Sequence, residues 1–336
     1  MKVQELGEFG LIARFAGHFG KDLPPGVVGI GDDCAVFPCS DDTSFLVTTD
    51  ALLEGVHFLK DRISARELGG KALAVNLSDI AAMGGTPVAA FLSLALPDDC
   101  QVSWVDQFFA GIKELSEETG THLLGGDTTR SRAGIVISFT VIGSASTALI
   151  SYRSGGRAGD VIALTDMVGD SGGGLRLLLA DHEIDAVGRR LITRHHRPRP
   201  HLAQGRWLAA QPAVHAMLDV SDGIGADLRR IMESSKVGAR IDVAALPISP
   251  DLHAIAARHD WNAIEVAVSG GEDYCLLCCI GAEEFTAIAT AFAETFGTDL
   301  YRIGEIVGGG ELIYHRDGEP VDIGGRGWDH FARQSG

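Results

Sequence analysis

No apolar run in this chain is long enough to cross a bilayer. The longest, PVAAFLSLALP (87–97), stops well short of the roughly 20 residues a spanning helix needs. The opening MKVQELGEFGLIARF has neither an apolar core nor a small-residue cleavage site, so a secretory leader is not expected and a cytoplasmic location is. Basic charge is also scarce: 28 Lys and Arg stand against 45 Asp and Glu, a formal net charge of −17. That balance argues against nucleic acid or an anionic membrane as a partner. The one locally basic run, RHHRPRPH (194–201), reads as a solvated loop stiffened by proline. Six cysteines (Cys34, Cys39, Cys100, Cys275, Cys278 and Cys279) lack the spacing of a disulfide framework, which fits a reducing compartment. Cys275 and Cys278 form a CxxC inside the apolar run YCLLCCI. In a strand they face opposite ways and cannot share a tetrahedral zinc, so they are expected to be buried, inert thiols. The standard nucleotide motifs are missing too. Ala65 stands where a glycine would have to precede Gly70-Lys71 in a phosphate-binding loop, and neither a dinucleotide fingerprint nor a protein-kinase catalytic loop occurs.

What is present describes a globular protein of two domains: 336 residues, 46% hydrophobic and 22% charged. In the first half, strand-like runs alternate with helical ones. TSFLVTTD reads as a strand, and a helix follows from a serine cap at Ser64 to the stop at Gly84-Gly85. PVAAFLSLAL reads as a strand, 105–118 as a helix, and THLLGGD and GIVISFTVIG as strands. The text loosens between 144 and 160, which is where the domain junction is expected. The second half begins with the strand DVIALTD and the glycine turn GDSGGG opening a helix. AMLDV and GARIDV are strands around the helix IGADLRRIMESS. EEFTAIATAFAETFG is an amphipathic helix, and LIYHRDGEPVDI a hairpin turning at Asp317-Gly318.

Acids recur where apolar elements end: Asp32 and Asp33, Asp50, Asp127, and the pair Asp219 and Asp222 in MLDVSDGIGADL. Asp79 lies on a helix, three residues after Asn76 and on the same face. Singly, each reads as a cap or turn residue. Together they stand where α/β proteins place ligand chemistry. If they converge, their repulsion requires cations among them, and oxygen donors without a His/Cys cluster suit Mg²⁺ or Ca²⁺ rather than zinc. Neighbouring glycines in GIGDD, LLGGD, GDSGGG and SDGIG let backbone N–H groups approach anionic oxygens. Phosphates would then be held by metals bridged to aspartates, without a lysine cradle.

The phrases GIGDDCAV, TTDALLEGVHF, KALAVNLSDIAAMGGTP, LLGGDTTRS, LDVSDGI and SGGEDYCLL occur in order and continue to GEPVDIGGRGWDHF. On these residues the chain resembles the thiamine-monophosphate kinase family over essentially its whole length. NLSDIAAMG has looser counterparts in the wider superfamily of aminoimidazole ribonucleotide synthetase, whereas SGGEDY is more specific. The resemblance implies an α/β (α+β), two-domain aminoimidazole ribonucleotide synthetase-like fold. Residues 1–148 would form an N-terminal domain that binds ATP and Mg²⁺ and pairs through its sheet into a homodimer, and 149–336 a C-terminal α/β domain. It implies transfer of the γ-phosphoryl group of ATP to thiamine monophosphate, with several Mg²⁺ ions as cofactors. By the same resemblance Asp33, Asp50, Asp79, Asp127, Asp219 and Asp222 are metal ligands, assisted by Thr48 and Thr49, with Asp127, Asp219 and Asp222 the catalytic acids. Gly126, Asp127, Arg153 and Ser221 would contact ATP, and His57, Glu272 and Trp328 the thiamine substrate. Phe108 and Phe109 are the candidates to lie against adenine. The rival readings are a synthetase of the same superfamily and a non-catalytic protein stabilised by divalent metal.

Overall fold

The computed structural model describes residues 3–19, 22–180 and 184–323. Its first half comprises α1 (Val3–Phe19), β1 (Ala35–Pro38), β2 (Thr43–Leu53), α2 (Ala65–Ala82), β3 (Thr86–Leu96), α3 (Val102–Thr119), β4 (His122–Arg130) and β5 (Val136–Ser146). The five strands form one sheet in the order β1-β2-β5-β3-β4, antiparallel except for the β3–β4 pair. The second half comprises β6 (Val161–Leu164), α4 (Asp170–Leu179), α5 (Ala186–His196), α6 (Leu202–Ala209), β7 (Val214–Asp219), α7 (Ile224–Ser235) and β8 (Gly238–Asp242). It continues through α8 (Pro250–His259), α9 (Ala263–Ser269), β9 (Leu276–Ile280), α10 (Phe285–Phe296), β10 (Tyr301–Val307), β11 (Leu312–Arg316) and β12 (Glu319–Pro320). Its seven strands run β12-β11-β8-β10-β6-β9-β7.

The helix α2 is the spine between the halves. Ser64 caps it through a reciprocal box: the Ser64 hydroxyl accepts from Glu67 N, and the Glu67 carboxylate accepts from Ser64 N. Nearly every residue along it is buried, as expected of a helix clad in protein on all sides. It packs against β2, β5 and α3 of its own half and against α5, α6 and β7 of the other. Beyond its first turn, four polar residues lie in this apolar helix, on two faces. Lys71 and Ser78, seven apart, face the second half; Asn76 and Asp79, three apart, face β2.

Glycine sets the distance between α2 and α3. A Cβ on Gly69 would overlap the carbonyl oxygen of Phe108, and one on Gly111 that of Arg66, so each helix presents a glycine to the other's backbone. Gly111→Ala is expected to cost about 2–3 kcal/mol by overpacking, read as a lower urea midpoint with an unchanged slope. An unchanged midpoint would show that the two helices are not in backbone contact.

The cysteines follow strand alternation. Cys278 joins the core shared with the first sheet, while Cys275 and Cys279 join the core on the other face, and all three are buried. The basic run differs from the sequence expectation. Arg194, His195 and His196 form the last turn of α5, and His195, His196 and His201 are buried. Burial pushes His196 and His201 down to about 4, so both are neutral at pH 7, and Arg194 pairs with Asp166. The run is part of the packed interior because Leu191, on the same helix, is held in a small core with Leu177, Leu252 and Ile255.

Candidate active site

Strand alternation and the faces of α2 build the site. On β2, Leu46, Thr48 and Leu52 are buried against α2, so by period two Asp50 leaves the strand on that same side. On β7, Met217 and Asp219 share the face turned to α2. Asp33 comes from the loop before β1. One carboxylate oxygen each of Asp33, Asp79 and Asp219 lie within 4.8 Å of one another, an arrangement of three residues far apart in sequence.

Each acid is oriented from behind. Thr48 Oγ1 donates to Asp79 Oδ2 at 2.5 Å, and Ser78 Oγ to Asp219 Oδ2 at 2.6 Å. Asp50 N donates to Asn76 Oδ1 at 3.0 Å. Arg153 donates to Asp33 Oδ1 from Nη2 at 2.5 Å and from Nε at 3.2 Å, while its backbone N–H reaches Asp32 at 3.2 Å. Asp222 pairs with Arg230 on α7. Asp227, fully buried in the first turn of α7, accepts from the backbone N–H groups of both Ser221 and Asp222 at 3.0 Å. Its carboxylate thereby shapes the loop that carries Asp222.

Crowded carboxylates resist ionisation. Burial, then the neighbouring Asp33, hold Asp219 up to about 7; burial, then Asp222, hold Asp50 up to about 6 although its side chain opens to solvent. Asp79 is raised well above the usual carboxylate range by burial, Asp50 and Asp219. Asp32 is pushed up to about 7 by burial and by Asp33. Asp33 Oδ2 is buried without a hydrogen-bond partner among the described residues. An orphaned carboxylate oxygen beside two reluctant carboxylates fits a hard divalent cation, with oxygen as the sole donor type.

The remaining expected site residues are placed unevenly. Arg153 and Ser221 border the acids. Thr49 Oγ1 donates to Phe139 O at 2.8 Å and accepts from Thr140 Oγ1 at 3.3 Å, so its hydroxyl is engaged within the sheet. Gly126 is required by packing, since its φ is +153° and a Cβ would overlap the Leu92 carbonyl. Asp127 is exposed on β4, the edge strand. Three strand spacings, about 14 Å, separate β4 from β2, so the protomer does not bring Asp127 to the other acids. His57 Nδ1 accepts from Leu53 N at 3.0 Å, beyond the end of β2. Glu272 Oε2 accepts from Lys71 Nζ at 2.9 Å and lies 3.0 Å from His195 Nδ1. No contact among the described residues joins His57 to Glu272, and Trp328 lies outside the described residues. Phe108 is sealed in the core and cannot stack on a nucleotide, whereas Phe109 remains partly exposed. Sequence reasoning missed Lys71, His195, Asp227 and Arg230. The one available signal was a lysine inside an otherwise apolar helix.

Comparison with known proteins places this architecture. Residues 31–145 match the family described as AIR synthase related protein, N-terminal domain, and 157–316 the corresponding C-terminal domain. The chain is 39% identical over 337 residues to the thiamine-monophosphate kinase of Escherichia coli (strain K12), covering 97% of this chain and 98% of that one. It is 37% identical over 333 residues to the thiamine-monophosphate kinase of Aquifex aeolicus (strain VF5), covering 98% and 100%. A solved structure described as AaThiL complexed with AMPPCP and TMP superposes with a TM-score of 0.85 at 34% identity, covering 98% of this chain and 99% of that one.

Proposed function

The chain belongs to the thiamine-monophosphate kinase family, and we infer that it transfers the γ-phosphoryl group of ATP to thiamine monophosphate, giving thiamine diphosphate and ADP. The observation that carries the site assignment is the convergence of Asp33, Asp79 and Asp219, together with the orphaned Oδ2 of Asp33. These three residues would hold Mg²⁺, with Asp50, Asp222 and Thr48 at the margin. Bound there, Mg²⁺ supplies charge neutralisation for two polyanions that would otherwise repel.

The chemistry asks little else of the protein. A phosphate oxygen of the acceptor forms the new bond to the γ-phosphorus while the bridging bond to the β-phosphate breaks and its electrons leave with ADP. The acceptor phosphate is largely ionised at neutral pH, since its second pKa is about 6, and needs no general base. The carboxylates therefore orient and neutralise rather than accept a proton. Arg153, now the counter-ion of Asp33, lies where it would reach a nucleotide phosphate, and the Ser221 hydroxyl sits on the loop shaped by Asp227.

We place the protein in the cytoplasm; no helix among the described residues is long and apolar enough to cross a membrane. A homodimer through the five-stranded sheet is supported by the face away from α2, where Leu53 and Phe91 are exposed, and by the exposed edge residue Leu124. Such pairing accounts for an Asp127 too distant from its own protomer's acids. The test is to offer Mg-ATP with thiamine monophosphate, thiamine and purine-pathway intermediates and to identify products by mass. Thiamine diphosphate should form from the monophosphate alone. Turnover of a purine intermediate instead would transfer the site to the synthetase reaction, and metal-dependent melting without any turnover would make it a binding protein.

A further inference from the structure

Lys71 is 1% exposed, in the middle of α2. A buried ammonium costs several kcal/mol unless its donors are met, and this one is met wholly from the other half of the molecule. Its Nζ donates to Glu272 Oε2 at 2.9 Å and lies 3.4 Å from His195 Nε2. An ammonium has no lone pair, so His195 Nε2 must be the acceptor in that contact and Nδ1 must carry the ring proton. Nδ1 lies 3.0 Å from Glu272 Oε2 and 3.1 Å from Ser171 Oγ, which takes its ring proton. Lys71 thus bonds Glu272 directly, and the His195 ring, held by Lys71 and Ser171, is packed against the same carboxylate oxygen.

The backbone of Glu272 is held as firmly. Its φ is +63°, in the left-handed region that a non-glycine residue enters at a cost. Glu272 N donates to Ser221 O at 2.7 Å, and a Cβ on Gly271 would overlap that same carbonyl. The SGGEDY loop is therefore pressed against the loop that carries Ser221 and Asp222. Both side-chain contacts of Glu272 end on Oε2. Oε1 has no partner among the described residues, and it is not sealed in the interior. One oxygen is anchored and the other is presented to the opening.

We propose that Lys71 and His195 are positioning residues: they clamp Glu272 Oε2 so that Oε1 recognises the cationic or N–H-bearing heteroaromatic part of the acceptor substrate. This rests on the reading that Glu272 contacts the acceptor. The clamp spans the two halves of the chain, so it aligns the acceptor, bound from the C-terminal half, with the carboxylates gathered around α2.

Steady-state kinetics on the full chain, with thiamine monophosphate and ATP varied separately, tests both layers. Lys71→Met and His195→Leu should each raise the KM for the acceptor about tenfold or more while leaving that for ATP within about twofold, the effect of losing a charge-assisted contact. His195→Asn, which retains a donor near the Nδ1 position, should restore most of the loss. If Lys71→Met does not fold, as melting would report, the comparison of His195→Leu with His195→Asn carries the test. Glu272→Gln separates the layers. If it raises the acceptor KM while folded Lys71→Met or His195→Leu does not, the clamp is overturned and the contact stands. If Glu272→Gln leaves the acceptor KM unchanged, the contact itself is overturned and the clamp with it. Equal weakening for ATP and acceptor in the clamp variants would mean a general loosening of the two halves and would also overturn the proposal.

Discussion

Asp219→Asn is expected to yield a folded protein whose turnover has fallen by about a thousandfold or more, the scale of losing one preorganised electrostatic contact in a desolvated site. Asp219 is 3% exposed and close to two other carboxylates. Asparagine keeps its shape and still accepts from Ser78 Oγ, so the strand end should hold. What is removed is one negative charge where a divalent cation would bind. Asp222→Asn should fall in the same direction but less steeply, because Asp222 stands outside the tight trio and already shares its charge with Arg230. The double variant should cost less than the two single effects added, since both acids would serve the same ions. Single-turnover rates, with melting curves as the control for folding, decide the matter. A folded Asp219→Asn protein with near-normal turnover would reduce the residue to a strand-end cap.

Removing divalent metal should abolish activity, lower the melting temperature, and lower it more the higher the pH. Asp219 and Asp32 titrate in the folded protein near 7 and Asp50 near 6, against a carboxylate's ordinary 3.8. Between about pH 4 and 7 the folded state therefore retains protons that the unfolded chain has released. Their contribution to stability is present at low pH and is lost as pH rises through the folded values. The buried His196 and His201 act in the opposite sense, because burial keeps them neutral while the unfolded chain still binds protons. Their effect is common to metal-free and metal-bound protein and cancels in the difference. Metal must displace the carboxyl protons, so its stabilising increment should grow from pH 5.5 to pH 8. Melting temperatures in excess chelator and in excess Mg²⁺ across that range measure the increment directly. An increment that is absent, or that shrinks as pH rises, would remove the metal from this cluster. Full turnover in excess chelator would do the same for the reaction.

Local rules carried far in this chain. The Ser64 cap announced the start of α2, period-two alternation placed Cys275 and Cys278 on opposite faces, and Asp317-Gly318 marked the last hairpin. Asp219 was legible for the same reason, since a carboxylate beside a buried strand leaves the core where the strand ends; Asp50 and Asp127 lie inside β2 and β4, which run on past the apolar residues that mark them. Which of them meet was not legible. Asp33, Asp79 and Asp219 converge because the loop before β1, α2 and β7 meet, whereas Asp127, equally conspicuous in the sequence, sits three strands from β2 on a sheet edge. The basic run 194–201 misled because charge in a sequence says nothing about burial, and three of its histidines are folded inside as neutral rings. Lys71 and Glu272 are 201 residues apart, and no periodicity links them. Many of the strands and helices, the Ser64 cap and the inventory of acids could be read locally, because these depend on neighbours within a few residues; α1, α5, α6, α8 and α9 could not. The site was decided only by tertiary packing. Pairing buried charges is a property of distance and desolvation, and both come into being when α2 is enclosed between the two sheets.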